Sequence, residues 1–319
     1  MSTPVNLPPN HLPDSPAGRA QTLPAAASAP RPFYWSVRRE LWENRSLYIA
    51  PLAVAGVILV GYSISLIGLP YGMRGMAGHG ITDQQALSGM PYAHASWLLM
   101  LTAFLVAFFY CLDALHGERR DRSILFWKSL PVADRTTVLA KASIPMLVLP
   151  LLVLVLTVAV HLLMLLLASA VLFVEGAGAA RSWSQLPFFQ IELVLLYSWI
   201  VLALWHAPIY GWLLLVSGWA KRTTFLWAVF PLLAVAILEK LAFNTTHFAS
   251  RVGYRLAGGM AEAFASRMPD GSPVDPHFIP LAQLTPGKFL GSSGLWVGLA
   301  LTAIFLAGAV RLRRYREPI

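Results

Sequence analysis

Few side chains in this 319-residue chain have the types and spacing that enzymes use. A Gly-Ser-Ser-Gly segment at 291–294 offers serine hydroxyls, but a serine nucleophile needs a neighbouring base and no histidine follows His277. The chain lacks both a GxxxxGK(S/T) phosphate loop and an HExxH zinc motif. Its single cysteine, Cys111, excludes a disulfide framework and a multi-cysteine metal site. The sequence therefore predicts a protein that is not an enzyme, with no catalytic, cofactor-binding or metal-binding residue of its own.

Three ionisable side chains lie inside long apolar stretches, where a charge at mid-bilayer costs roughly 2.5–3.5 kcal/mol. A neutral histidine costs less, so we interpret His161, near mid-depth, as a hydrogen-bonded packing residue. His206 lies two residues before Pro208, where it can bond carbonyl groups freed by a kink. Glu192 lies near the end of its stretch and can reach the interface. The alternative is that all three form the relay of an ion- or proton-coupled carrier.

The segments that hold these residues are long enough to cross a membrane. The chain is 57% hydrophobic and 12% charged, about half the charge of a soluble domain, which excludes a soluble globular enzyme. A bilayer core requires roughly 20 apolar residues per helix. We therefore predict an all-α polytopic membrane protein with six transmembrane helices. Six windows meet the requirement: 48–69, 92–112, 142–174, 188–220, 223–243 and 291–310.

The third and fourth windows are longer than one perpendicular helix needs. Tilt or an interfacial segment absorbs such an excess, and so does a kink. Pro145 and Pro150 in the third window and Pro208 in the fourth are the candidate kink positions.

Basic residues predict the orientation of the helices. Of the 24 lysines and arginines, 17 lie on the side that holds both termini and the loops 113–141 and 221–222. An excess of basic residues marks the cytoplasmic side, so both termini are expected in the cytoplasm. The net charge of +9 then reflects topology and contact with anionic lipid, and we predict no nucleic-acid partner. The predicted location is the plasma membrane, as the inner membrane of a bacterium.

Both terminal segments are predicted to be cytoplasmic tails. Residues 1–32 hold eight of the 23 prolines, which indicates disorder, and 313–319 form a short basic tail. Residues 33–47 place apolar side chains at helical spacing beside Trp35 and Trp42, which predicts an amphipathic helix in the cytoplasmic interface. The alternative is a cytoplasmic extension of the first membrane helix.

The outer loop 244–290 is the largest segment predicted to lie outside the membrane. Its first half is expected to form one or two helices, interrupted at Gly258-Gly259.

The cytoplasmic loop 113–141 carries the strongest indication of function. A charged run, Gly-Glu-Arg-Arg-Asp-Arg, is followed by the apolar residues Ile124, Leu125, Phe126 and Trp127. Exposed apolar residues in a charged loop mark a contact with a protein or with lipid headgroups.

This loop resembles the corresponding loop of the permease subunits of type-2 ABC transporters. In that family a Glu-Arg pair follows the second span, and a Leu-Pro-Val element precedes a lysine at the third span. Glu118-Arg119, Leu130-Pro131-Val132 and Lys141 match these features. The resemblance covers about residues 33–312 and includes the six spans, the interfacial helix and the cytoplasmic termini.

The resemblance implies a permease domain over 33–312 that pairs in the lipid bilayer with a second permease subunit, either itself or a sister. A separate ABC ATPase subunit would bind ATP and Mg and would drive export of an unidentified substrate. Lys221 and Arg222 would form a smaller second contact with it. The main contact would use ten residues of the loop: Glu118, Arg119, Arg122, Phe126, Trp127, Lys128, Leu130, Pro131, Arg135 and Lys141. The alternative function is ion- or proton-coupled secondary transport.

Overall fold

The computed structural model describes residues 32–66, 81–129, 132–174, 186–265 and 281–315. Within these ranges the secondary structure is helical, apart from one isolated antiparallel bridge between Phe264 and Leu284. The predicted 1–32 tail lies outside the described residues except for Pro32.

Six helices are long and apolar enough to cross a membrane, which confirms the six predicted windows. They are called the first to sixth spans below. Their bounds are Ser46–Ser65, Gly89–Arg120, Asp134–Val174, Phe188–Trp219, Thr224–Phe243 and Ser293–Tyr315.

The ends of three spans differ from the predicted windows. The helix of the second span begins at Ile81, and the third begins at Asp134, eight residues before the apolar window opens. In the third span the added polar residues find partners inside the protein, since Lys141 pairs with Glu40 and Asp134 with Arg313. The sixth span continues to Tyr315, so the predicted basic tail from residue 313 is wrong for its first part. Arg313 is a buried helical residue, not a tail residue.

Prolines lie inside the third and fourth spans without ending either one. Residues Ile144–Val148 form a π-helical turn that contains Pro145. An α-helix resumes over Leu149–Val174. Pro208 lies inside the continuous helix Phe188–Trp219. π-turns inside α-helices often occur at functional positions.

The fourth and sixth spans pack most closely. Gly211 and Gly218 of the fourth span face Thr302 and Leu312 of the sixth, where a Cβ atom would lie only 3.4–3.7 Å from its neighbours. The first and fifth spans lie at the edge of the bundle, since more than half of their residues are exposed and few are buried. In a membrane these side chains face lipid or a second protein chain.

A separate helix, Pro32–Glu43, precedes the first span and ends before Asn44 (the N-terminal helix). Val37 and Leu41 pack on the bundle, whereas Trp35 and Trp42 are exposed. A helix therefore forms over Pro32–Glu43 and is not continuous with the first span. Its amphipathic character and its position in the membrane interface stay predictions.

The segment between the fifth and sixth spans folds against the fourth span. It contains the helices His247–Ala257 (the outer helix), Gly259–Ala263 and Pro286–Gly291, and the predicted interruption at Gly258 is confirmed. Trp205 packs against Phe289, and Tyr197 Oη donates a hydrogen bond to the carbonyl of Ala263 over 3.1 Å. Trp205 lies about 20 Å along the helix from Gly218, so this segment reaches the level of the apolar spans.

Single-cysteine labelling tests this topology. With Cys111, which is fully buried, replaced by serine, we expect Thr246→Cys to react with an impermeant maleimide in intact cells. Ser129→Cys should react only after permeabilisation, because both positions are exposed and lie at opposite ends of the bundle. Reaction of Ser129→Cys in intact cells would overturn the predicted orientation.

Candidate functional site

Four charged side chains from four separate segments meet at one end of the bundle (the ion cluster). Glu40 comes from the N-terminal helix, Glu118 from the short helix His116–Arg120, Lys141 from the third span and Arg313 from the sixth. Lys141 Nζ donates to Glu40 Oε1 at 2.7 Å and lies 3.2 Å from Glu118 Oε1. Arg313 Nη1 donates to the other oxygen of Glu118.

Three further side chains complete the hydrogen bonds of the ion cluster. Tyr110 Oη donates to Glu40 Oε2 at 2.9 Å, and Arg39 Nη2 donates to Glu40 and Glu118 at 2.8 Å each. Asp134 accepts from Arg313 Nε at 3.2 Å. Although burial opposes its charge, the carboxylates of Glu40 and Glu118 raise the pKa of Arg39.

The ion cluster is almost completely removed from water. Glu40 and Lys141 retain 1% and 2% of their accessible surface, and Glu118 and Arg313 retain 7% and 4%. Removing an ion from water costs several kcal/mol, which the interior offsets only where each charge is paired and hydrogen-bonded. Each carboxylate here contacts at least two cations, so the four segments stabilise one another only in this relative position.

Glu118 is held at the ion cluster by the end of the fourth span. Ser217 Oγ accepts hydrogen bonds from the backbone N–H groups of Leu115 and His116 at 3.0 and 2.9 Å. Arg119 donates to the carbonyls of Gly218 and Ala220 at 2.9 and 3.2 Å. These bonds fix the beginning of the loop on the bundle.

Three of the residues predicted to contact a partner protein instead contact other parts of this chain. Glu118, Arg119 and Lys141 were expected to face a partner, but all three are buried among the chain's own helices. The physical reason is that each has a partner inside the protein. Glu118 and Lys141 pair with side chains of opposite charge, and Arg119 donates to backbone carbonyls of the fourth span's end. In this conformation they cannot contact a second protein directly.

The helix Ser123–Ser129 (the loop helix) carries the predicted apolar patch, but only part of that patch is exposed. Leu125 and Phe126 are 59% and 61% exposed, whereas Ile124 is buried at 2%. The ring of Trp127 is half-buried, and the Arg39 guanidinium lies 3.9 Å from its centre. The expectation of four exposed apolar residues is wrong for Ile124 and holds only in part for Trp127.

The other predicted contact residues are exposed, or lie outside the described residues. Arg122 has a left-handed backbone, with φ at 58°, where the chain turns into the loop helix. Lys128 donates to the carbonyl of Arg314 at 3.4 Å. Exposed positions also include Arg135 and, at the turn between the fourth and fifth spans, Lys221 and Arg222. Leu130 and Pro131 lie outside the described residues.

His161 and Glu192, predicted separately, form a pair in which His161 is buried and Glu192 is partly buried. His161 Nδ1 lies 2.7 Å from Glu192 Oε1, and Nε2 lies 3.0 Å from the carbonyl oxygen of Tyr92 and 3.1 Å from Ser96 Oγ. The pair joins the second, third and fourth spans. His161 is thus hydrogen-bonded, as expected, but Glu192 is not a simple interfacial residue.

The His161–Glu192 pair lies far from the ion cluster along the spans. Along the third span, His161 lies about 30 Å from Lys141, since a helix rises 1.5 Å per residue. Along the second span, Tyr92 lies about 27 Å from Tyr110 by the same measure. The ion cluster and the His161–Glu192 pair are therefore separated by about 30 Å along the spans, and the pair lies near the ends of the second and fourth spans.

His206 has a partner that the sequence did not indicate. Its Nε2 lies 3.0 Å from the carbonyl oxygen of Leu256 in the outer helix, not from a carbonyl freed at Pro208. Its ring borders a small apolar cavity between the second, third and fourth spans, whose walls include Phe104, Pro150 and Tyr210. No contact within the described residues joins His206 to His161 or Glu192.

The sequence could have indicated one member of the ion cluster. Glu40 lies three residues after Val37 and next to Leu41, on the apolar face of the N-terminal helix, where an acid requires a buried partner. Tyr110, Asp134 and Arg313 gave no local signal, because their partners are distant in sequence.

Comparisons with known proteins identified no relative of this chain. The chain matches no known family, no curated protein and no solved structure. Its function must therefore be inferred from its residues and their geometry. Within the described residues, no group of three or more histidine, cysteine or acidic side chains is arranged to hold a metal.

Proposed function

We propose that this chain is the membrane-spanning permease subunit of an ATP-driven exporter of the ABC type. The observation that carries the proposal is the loop helix, which exposes Leu125 and Phe126 beyond the end of the spans. A second protein that covers these two side chains gains the free energy of burying apolar surface, about 25 cal/mol per Å². The predicted partner is a separate ABC ATPase, which would supply both ATP and Mg.

The ion cluster would transmit a displacement of the loop helix to the membrane spans. Trp127 of the loop helix lies against Arg39, and Arg39 bonds Glu40 and Glu118. A push on the loop helix therefore acts on the N-terminal helix and, through Lys141 and Arg313, on the third and sixth spans. Buried pairs resist separation, so these segments are expected to move together when the ATPase closes.

The finer topology belongs to the same proposal. The loop helix and both termini would lie in the cytoplasm, at the plasma membrane, because basic residues predominate on that side. The N-terminal helix would lie in the interface, where Arg38 stands 4.5 Å from the ring centre of Trp42. A second permease subunit would cover spans at the edge of the bundle.

The His161–Glu192 pair favours a second candidate, an ion- or proton-coupled carrier. A buried histidine and carboxylate can hold a proton. However, the pair lies near one end of the spans, and no contact within the described residues links it to His206. A carrier would transport without an ATPase partner, which separates the two candidates.

A pair of phenylalanines provides a matched test. Phe126 and Phe109 are both 61% exposed, but Phe109 lies on the second span. If the loop helix docks on an ATPase, Phe126→Ala should weaken its recovery by pull-down about 10- to 30-fold, because a buried aromatic anchor contributes about 2 kcal/mol. Phe109→Ala should leave recovery unchanged. Coupled ATP hydrolysis in liposomes should fall in parallel.

Charge reversal provides an independent arm of this test. Arg122 is exposed beside the loop helix, so Arg122→Glu should slow docking and make it depend on salt. Trp127→Ala should also impair coupling, but it removes an internal contact with Arg39 as well. The proposal fails if no ATPase co-purifies with the wild-type chain, or if Phe126→Ala and Arg122→Glu together leave binding and coupled hydrolysis unchanged.

A further inference from the structure

One arginine of the outer helix points into the protein instead of away from it. Phe248, Val252 and Arg255 lie on the half-buried face of this helix, at helical spacing. The Arg255 guanidinium stands 4.4 Å from the ring centre of Trp205, and its Nη2 donates to the carbonyl of Gly294 at 2.9 Å. Arg255 thus lies between the outer helix and the fourth and sixth spans.

The sixth span makes room for this side chain. A Cβ atom added to Gly298 would overlap Arg255 Nη2, so any other residue there must displace the guanidinium. The Arg255 guanidinium therefore fits between the indole ring of Trp205 on one side and the glycine backbone of the sixth span on the other.

The acids described on this side of the bundle are engaged elsewhere. Glu239 accepts from Thr245 Oγ1 and from the backbone N–H groups of His247 and Phe248. Glu262 accepts from Tyr254 Oη and lies 3.7 Å from Lys288 Nζ.

Arg255 consequently has no carboxylate partner among the described residues. Within the described ranges, no acid lies within 4.0 Å of Arg255 or of Arg251, one turn earlier on the outer helix. Burial lowers the pKa of Arg255, which is the direction expected for a cation without a counter-ion.

A guanidinium has five N–H donors in a rigid fork, and only one of those of Arg255 is bonded to a described residue. That fork matches the paired oxygens of a phosphate, and contact with an aromatic face leaves its edge free for them. Arg251 is exposed and supplies a second positive charge. Leu256 and Tyr254 expose apolar surface beside the two arginines, as at a site that meets lipid.

We propose that Arg255 and Arg251 form a binding subsite for a phosphate anion on the side of the bundle opposite the ion cluster. The phosphate belongs either to a lipid headgroup of the adjacent leaflet or to a soluble phosphate compound. This proposal stands apart from the exporter proposal, because it requires no ATPase.

The test uses the full chain, purified in a maltoside detergent that carries no phosphate. Phosphatidylglycerol, a phosphate-free glycolipid with the same acyl chains, and inorganic phosphate are added separately. Native mass spectrometry counts retained lipid, and the thermal unfolding midpoint reports stabilisation. We expect the wild type to retain phosphatidylglycerol over the glycolipid. Arg255→Gln should weaken that retention about tenfold, since charge-assisted bidentate pairs are strong.

Two variants separate a lost ligand from a lost fold. Gly298→Ala keeps both arginines but displaces the guanidinium, so it should behave like Arg255→Gln. Lys288→Gln removes a cation that already faces Glu262 and should leave retention unchanged. Stabilisation by inorganic phosphate that disappears in Arg255→Gln would identify a soluble source, whereas an effect of phosphatidylglycerol alone identifies the lipid. The proposal is overturned if the wild type retains both lipids equally and does not respond to phosphate. It is also overturned if retention is unaltered in the Arg255→Gln and Gly298→Ala variants.

Discussion

Replacing Lys141 with methionine should lower the free energy of unfolding by about 3–5 kcal/mol, the usual cost of removing one partner from a buried ion pair. The ammonium group contacts Glu40 and Glu118 at 2.7 and 3.2 Å. Methionine fills a similar volume, so the loss reports the charge and not a cavity. Unfolding in a detergent titration measures it. Lys221→Met is the matched control, because Lys221 is exposed and should change stability by less than about 0.5 kcal/mol.

A second substitution shows whether charge balance is the cause. Glu40→Gln in the Lys141→Met background removes a carboxylate that has lost one of its cations. It should recover a substantial part of the lost stability, since contacting residues are energetically coupled. If Lys141→Met costs no more than Lys221→Met, the ion cluster does not hold the four segments together. In that case the proposed route from the loop helix to the spans is wrong.

The spans were predictable because each depends on a property of one continuous segment. About 20 apolar residues suffice to cross a bilayer, and all six windows meet that condition. The ends of the spans were less predictable, since polar residues extend a helix wherever a distant partner stabilises them. Arg313 illustrates this, because it continues the sixth span to bond Glu118, which lies 195 residues earlier in the chain.

The ion cluster could not be predicted from local sequence patterns, because its members are distant from one another in the sequence. Lys141 was noted only through its resemblance to a family feature, and its partner Glu40 lies 101 residues away. The faces of the loop helix were also undetermined, because seven residues make only about two turns and fit several orientations. The structure resolves this by burying Ile124 and leaving Leu125 and Phe126 exposed.

Loss of the His161 side chain should be the second large effect. Nε2 lies 3.0 Å from the Tyr92 carbonyl oxygen and 3.1 Å from Ser96 Oγ. Nδ1 lies 2.7 Å from Glu192 Oε1, within hydrogen-bond distance. His161→Ala leaves the Glu192 carboxylate without this partner and should cost about 3 kcal/mol or more. Its Oε2 is already buried without a hydrogen bond.

His206 is the internal control. It makes one hydrogen bond, to the carbonyl of Leu256, which a glutamine amide can replace. His206→Gln should therefore cost about 1 kcal/mol. The sequence indicated hydrogen-bonding roles for both histidines, and the Glu192 pairing now separates them. A double-mutant cycle with His161→Ala and Glu192→Gln should give a coupling energy above about 1 kcal/mol, as expected of residues in direct contact.

The same pair decides between the two transport candidates. If the pair is structural, a folded His161→Gln/Glu192→Gln variant should still export in an ATP-dependent manner, at a rate that is flat between about pH 6 and pH 8. If the chain is a proton-coupled carrier, removing both ionisable side chains should abolish transport while the protein stays folded. A coupling energy near zero in the double-mutant cycle would show that His161 and Glu192 do not stabilise each other. A pH-dependent rate that disappears in the double variant would instead favour the carrier over the exporter.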